Sequence, residues 1–86
     1  MKVSIVVLNF NGINLLKKFI PQLIKNSNGY DIYVVDNNSS DNSISFLKTE
    51  FPEVKIIRNK ENYGYAGGYN SGLKQIDSDL FICLNN

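Results

Sequence analysis

An α/β fold carried on a mostly parallel sheet is the class this sequence predicts, on three observations. Four short apolar runs rich in β-branched residues recur at 3–8, 32–35, 54–57 and 80–84, and near-continuous runs of that kind suit strands buried on both faces, as parallel strands are. The segments between them carry the 3.6-residue apolar spacing of helices. Each run also ends in a polar, amide-rich stretch. The order is therefore β-α-β-α-β-α-β, a Rossmann-like pattern. Right-handed crossovers make such a sheet parallel and place function at the carboxyl ends of its strands.

The first run follows a single charged residue, Lys2, and Asn9 and Asn11 come where a signal peptide would continue apolar, so 3–8 reads as a buried strand. Between 13 and 25, Leu16, Phe19, Ile20, Leu23 and Ile24 form one helical stripe. Pro21 interrupts it, and the lost backbone donor predicts a kink or a break near Ile20. After the second strand, Ser39-Ser40-Asp41 is an N-cap cluster for a helix bearing Ile44, Leu47 and Phe51 on one face, stopped by Pro52. The third helix is expected from about 66 to 76, with Asp77-Ser78 closing it. Cys83, inside the last strand, is expected to be an inert core residue.

Composition narrows the chemistry. Eighty-six residues, 43% hydrophobic and 20% charged, describe one soluble globular domain over 1–86 with a modest core. The absence of histidine removes Ser-His-Asp and Cys-His nucleophiles, and a lone cysteine removes disulfides and thiolate zinc sites. Carboxylate, amide, hydroxyl and backbone chemistry remain. Nine basic against eight acidic residues, with no basic cluster denser than Lys17-Lys18, argue against a nucleic-acid partner and against adhesion to anionic membrane. No apolar run approaches the roughly 18–20 residues of a bilayer span, and a free thiol suits a cytoplasmic location.

Four polar strand ends share one rim: Asn9-Phe10-Asn11-Gly12, Asp36-Asn37-Asn38-Ser39, residues 59–72, and Asn85-Asn86. That layout suits a nucleotide, with amides and a carboxylate for base and sugar and backbone N–H groups for phosphate. Asp36 can accept from such a ligand, or it can close an Asx-turn. Phe10 can stack on a base or belong to the core. Residues 62–72 hold four of the six glycines and three of the five tyrosines, which allows either close backbone approach to a ligand or tight helix–sheet packing. The window is neither a P-loop nor a dinucleotide fingerprint. Asp77 and Asp79 flank Ser78 on the opposite rim and read as a solvated turn.

With these residues in view, the chain resembles the opening half of the family 2 glycosyltransferases of GT-A fold. The resemblance rests on Val3-Ser4-Ile5-Val6-Val7-Leu8-Asn9-Phe10-Asn11, Val34-Val35-Asp36-Asn37-Asn38-Ser39, the Asn62-x-Gly64 to Asn70-x-Gly72 loop, and Leu84-Asn85-Asn86. Its Val-Asp-Asn and Gly-Tyr-Ala-Gly-Gly pieces look most like rhamnosyltransferase-like members.

The resemblance implies a nucleoside-diphosphate sugar, UDP- or dTDP-linked, transferred with inversion to a saccharide or lipid-linked acceptor in polysaccharide biosynthesis, at the cytoplasmic face of the membrane. By it, Leu8, Asn9 and Phe10 line base and ribose, Asp36 with Asn37 reads the base, and Asn62, Gly64, Gly68 and Asn70 approach the ribose and diphosphate. Asn37 stands where the family commonly has a second Asp, and Tyr69 where many members have Arg. Asn85 and Asn86 open the stretch whose next residue should be an Asp holding a divalent cation, Mg2+ or Mn2+. The general base and acceptor pocket lie further on. Residues 1–86 are thus expected to be a truncated nucleotide-sugar-binding part that is inactive alone, with no catalytic residue of its own. A non-catalytic Rossmann-like nucleotide-binding or interaction module is the other reading. The last strand is expected to leave an exposed sheet edge prone to self-association.

Overall fold

A computed structural model describes residues 1–85. Its elements follow the expected order: β1 (Val3–Asn9), α1 (Ile13–Asn26), β2 (Asp31–Asp36), α2 (Ser43–Glu50), β3 (Lys55–Arg58), α3 (Gly64–Leu73) and β4 (Leu80–Asn85). The four strands form one sheet in the order β3-β2-β1-β4, and every pairing is parallel. From β1 the chain steps through β2 to β3 at one edge, then crosses back to β4 at the other. Right-handed crossovers in opposite directions fall on opposite faces. Accordingly Leu16, Ile20 and Leu47 of α1 and α2 pack with Ile5, Val7, Ile32 and Val34. Tyr69 and Leu73 of α3, with Ile76 just beyond it, pack with Val6, Leu8 and Val35 on the other face. Neighbouring β-branched residues of β1 thus enter different cores, which is why its apolar run is unbroken. The direction of travel reverses between β1 and β4, the topological switch point where open α/β sheets bind ligands.

Three expectations are corrected. Helix α1 runs unbroken through Pro21, because Pro21 and Lys17, whose carbonyl loses its partner, both lie on the exposed side, where water can take the bond. The buried Leu16 and Ile20 hold the preceding turns to the sheet, and half-buried Leu23 and Ile24 hold the following ones. At α2, the cap position falls on Asn42, whose side chain makes no cap bond. Asp41 stands one residue outside and serves two helices: Oδ1 accepts from the Ser43 amide at 3.0 Å and from its hydroxyl, and Oδ2 accepts from the Ile13 amide at 3.1 Å, the first residue of α1. Burial pushes the Asp41 carboxyl up, but the hydrogen bonds from Ser43, Ile13 and its own amide outweigh this and hold it below the usual carboxylate value. Cys83 is exposed rather than core, since β4 is an edge strand that the helices largely leave uncovered.

Boundaries shift modestly. Helix α3 begins at Gly64, whose φ of +75° suits a residue without a side chain. Strand β3 starts at Lys55, leaving Val54 buried just ahead of it.

Candidate functional site

Parallel register brings the strand ends level: Asn9 lies beside Asp36, and Leu8 beside Asn85. The ladder continues past the strands, with the Asn37 amide on the Asn9 carbonyl and the Asn59 amide on the Asp36 carbonyl, each at 2.8 Å. Beneath the rim lies a polar knot with no exposed surface at Asn9 or Asp36. Asp36 Oδ1 accepts from Asn9 Nδ2 at 2.9 Å and from the Ser39 hydroxyl at 2.7 Å, and Oδ2 accepts from the Ser39 amide at 2.8 Å. A carboxylate buried this completely is tolerable because three donors replace its water. Ser39 Oγ also accepts from the Asn11 amide at 2.8 Å, and Asn11 Oδ1 accepts from the Ser40 amide at 2.7 Å. Asp36 and Asn9 therefore join the β1 and β2 loops from below and offer no surface to a ligand.

Above them sits a pair of amides. Asn37 Oδ1 accepts from Asn59 Nδ2 at 2.8 Å, while Asn37 Nδ2 donates to the Gly64 carbonyl at 2.9 Å. Asn59 Nδ2 reaches the Gly68 carbonyl at 3.3 Å as well, so the ends of β2 and β3 are tied to the first turns of α3. Gly68 makes this approach possible: a Cβ there would lie 2.5 Å from Asn37 Nδ2 and 2.8 Å from Leu8 Cδ1. Gly72 lies as closely on Val35. Two glycines of the dense window thus serve helix–sheet packing.

At the switch point a cleft of about 380 Å³ opens, lined by Leu8, Phe10, Asn37, Asn62, Gly64, Tyr65 and Asn85. Its size lies within the range of small-molecule sites, which span roughly 300–1,000 Å³. Phe10 is 49% exposed and Tyr65 63%, and every described lining residue is uncharged. Asn85 is held by two phenols: its Nδ2 donates to Tyr65 Oη at 2.9 Å, and its Oδ1 accepts from Tyr69 Oη at 3.1 Å. Tyr69 Oη lies closer still to the Leu84 carbonyl, at 2.5 Å. Burial, with Cys83 nearby, pushes the Tyr69 phenol up to about 12, so it stays a donor at physiological pH.

Of the residues singled out from the sequence, Leu8, Phe10, Asn37, Asn62, Gly64 and Asn85 meet in this cleft. Asn9, Asp36 and Gly68 lie buried behind it. Asn70 lines a separate groove with Tyr63, Gly67, Ser71 and Lys74. Asn86 lies outside the described residues. Tyr65 and Asn59 complete the site without having been singled out. Tyr65 sat inside the glycine–tyrosine window, and Asn59 is the polar residue closing a strand. No cluster of three or more His, Cys, Asp or Glu able to hold a metal occurs among the described residues. With Asp36 fully engaged, these residues do not make a divalent-cation site. No described helix is long and apolar enough to cross a membrane.

Comparison with known proteins agrees with this architecture. Residues 4–86 match the model of Glycosyl transferase family 2. The chain is 32% identical over 93 residues to an undecaprenyl-phosphate 4-deoxy-4-formamido-L-arabinose transferase of Proteus mirabilis (strain HI4320), covering 98% of this chain and 28% of that protein. The fold superimposes with a TM-score of 0.85 on the mannosyltransferase PcManGT of Pyrobaculum calidifontis, solved in complex with GDP-Man and Mn2+, at 17% identity and covering 98% of this chain and 27% of that one. The chain thus spans little more than a quarter of either protein. With a parallel sheet, a cleft at its switch point and a family match over nearly its whole length, the chain belongs to glycosyl transferase family 2.

Proposed function

We propose that the rim cleft is the nucleotide subsite of a glycosyltransferase donor site, and that the donor is a UDP- or dTDP-linked sugar passed with inversion to a saccharide or lipid-linked acceptor. The observation that carries this reading is the uncharged cleft at the switch point, with two exposed aromatic rings and an amide floor. Rings and amides suit a base, and Gly64, whose amide donates to Asn62 Oδ1 at 2.9 Å, brings the amino end of α3, the positive end of its dipole, to the same opening. The buried Asp36 knot keeps the two loops in place while the ligand enters. The mannosyltransferase that shares the fold holds GDP-Man with Mn2+. In the same reading, a divalent cation serves the full-length enzyme through a carboxylate following Asn86, and residues 1–86 bind the donor without transferring it.

Isothermal titration of UDP, dTDP and GDP into the chain, with and without Mn2+, tests this. Saturable binding with a preference for UDP or dTDP supports it, and equal heats for all three, or none, overturn it. The other reading, a non-catalytic nucleotide-binding module, shares the lack of a carboxylate cluster among the described residues and differs in that no acidic residue is encoded just past Asn86.

The same reading covers the sheet edge. Strand β3 is four residues bounded by Lys55 and Arg58, whereas β4 is six residues without charge or proline, and charged residues are what guard natural edges. Lys18 flanks a groove that reaches Asn85 at the carboxyl end of β4, and Asp77 and Asp79 stand just before its amino end. Antiparallel pairing of β4 with a second copy sets each Lys18 near the other copy's aspartates; parallel pairing sets like charges together.

A further inference from the structure

The cleft wall at the end of β4 is a three-residue unit. Tyr69 is core, 7% exposed, and its hydroxyl is anchored on the Leu84 carbonyl. Its ring meets Tyr65 edge to face, with centroids 5.5 Å apart at 70°. Asn85 bridges the two phenols, and its N–H bond to Tyr65 ties the tip of that ring to β4 while its backbone belongs to α3. A tyrosine with most of its surface in water ordinarily samples several rotamers, and ordering it costs side-chain entropy. Here two contacts from different elements settle the ring in advance, with its remaining surface open to the cleft.

We propose that Tyr65 is a stacking residue for the base of the bound nucleotide, and that Asn85 is a positioning residue that acts through Tyr65. The inference rests on the nucleotide reading of the cleft. Asn85 has its carbonyl engaged by Tyr69 and one amide hydrogen engaged by Tyr65, so it spends its polar groups on the wall. The wall favours a planar heterocycle over phosphate because no described lining residue carries charge and an ordered aromatic face gains most from stacking.

The 86-residue chain has no tryptophan, so tyrosine emission reports ring contacts directly. Uridine 5′-monophosphate and ribose 5-phosphate are titrated by calorimetry and by tyrosine fluorescence, with folding of each variant checked by circular dichroism. Tyr65→Ala is expected to weaken the nucleotide roughly tenfold, to remove most of the quenching, and to leave ribose 5-phosphate unchanged. Tyr65→Phe keeps the ring and loses the Asn85 bond, for a loss of about threefold. Asn85→Ala should match it, and the double variant should be no worse than either single one, as expected of two residues acting through one bond. Wild-type affinity in a folded Tyr65→Ala chain, or equal losses for both ligands, overturns the stacking role while the nucleotide reading stands. Additive losses in the double variant overturn the positioning role. Failure of the wild-type chain to bind any nucleotide overturns both the proposal and the reading beneath it, and so is distinct from the other outcomes.

Discussion

Asp36, the last residue of β2, and Asp41, in the loop that follows it, are two carboxylates five positions apart with opposite surroundings and different work. Asp36 has no exposed surface and three donors. Removing it leaves both Ser39 donors without their acceptor in a buried space, while Asn9 Nδ2 keeps its 3.3 Å bond to Ser39 Oγ, and stranded buried donors cost about 1–3 kcal/mol each before relaxation. Asp36→Ala is therefore expected to lower unfolding free energy by roughly 3 kcal/mol in urea titration. A loss below about 1 kcal/mol would show that water reaches the knot. Asp41 is a shared cap for α1 and α2, and Asp41→Ala should cost about 1 kcal/mol. Its folded-state pKa is depressed, so the stability it adds is present above the unfolded value of about 3.9 and is lost as pH falls through the lower folded value. The difference in urea midpoint between wild type and Asp41→Asn should accordingly be constant near neutrality and shrink below about pH 4; a gap that persists to pH 2 counts against the cap. The chemical character of these residues was readable in advance, but which carboxylate would be sealed and which would cap depended on where the two loops met.

Among the elements, α1 shows how packing overrides a local rule. An interior proline removes one helical bond and clashes with the preceding turn, at roughly 3 kcal/mol in an unsupported helix, yet the stripe of Leu16, Ile20, Leu23 and Ile24 keeps both halves on the sheet. Pro21→Ala should restore the bond to the Lys17 carbonyl at an exposed site. It should raise stability by about 1–2 kcal/mol, part of the gain being offset by a freer unfolded chain. A lower midpoint would mean that the proline bend itself is needed for packing. The strands and the order of elements were legible because buried parallel strands and amphipathic helices leave different periodicities. The start of α2 was legible in part: of the Ser39-Ser40-Asp41 cluster, Asp41 meets the first residue of the helix, while Ser39 and Ser40 had nearer partners in Asp36 and Asn11.

On the scale of the whole molecule, the two sheet edges differ. The α1-facing side of β4 leaves Leu80 48% and Ile82 39% exposed, with Leu15 of α1 also open. Sedimentation velocity is expected to show reversible association that rises with concentration. Ile82→Lys should abolish it without altering the monomer's melting, and Lys18→Glu should weaken it most at low salt. Concentration-independent monomer in the wild type defeats the pairing.

Read alone, the residues determined the alternation of strands and helices, the parallel sheet and the rim on which polar groups gather, because each is set by periodicities and turn chemistry along a few neighbouring positions. The family likeness rested on those same rim motifs in order. Tertiary structure alone decided that Asp36 lies under the cleft and not in it, that Gly68 is a packing glycine, that Cys83 sits on an open edge, and that Tyr65 faces the site. Each of those outcomes turns on which residues 20 or more positions away become neighbours across the sheet. Such distances are fixed by strand order and register rather than by local sequence.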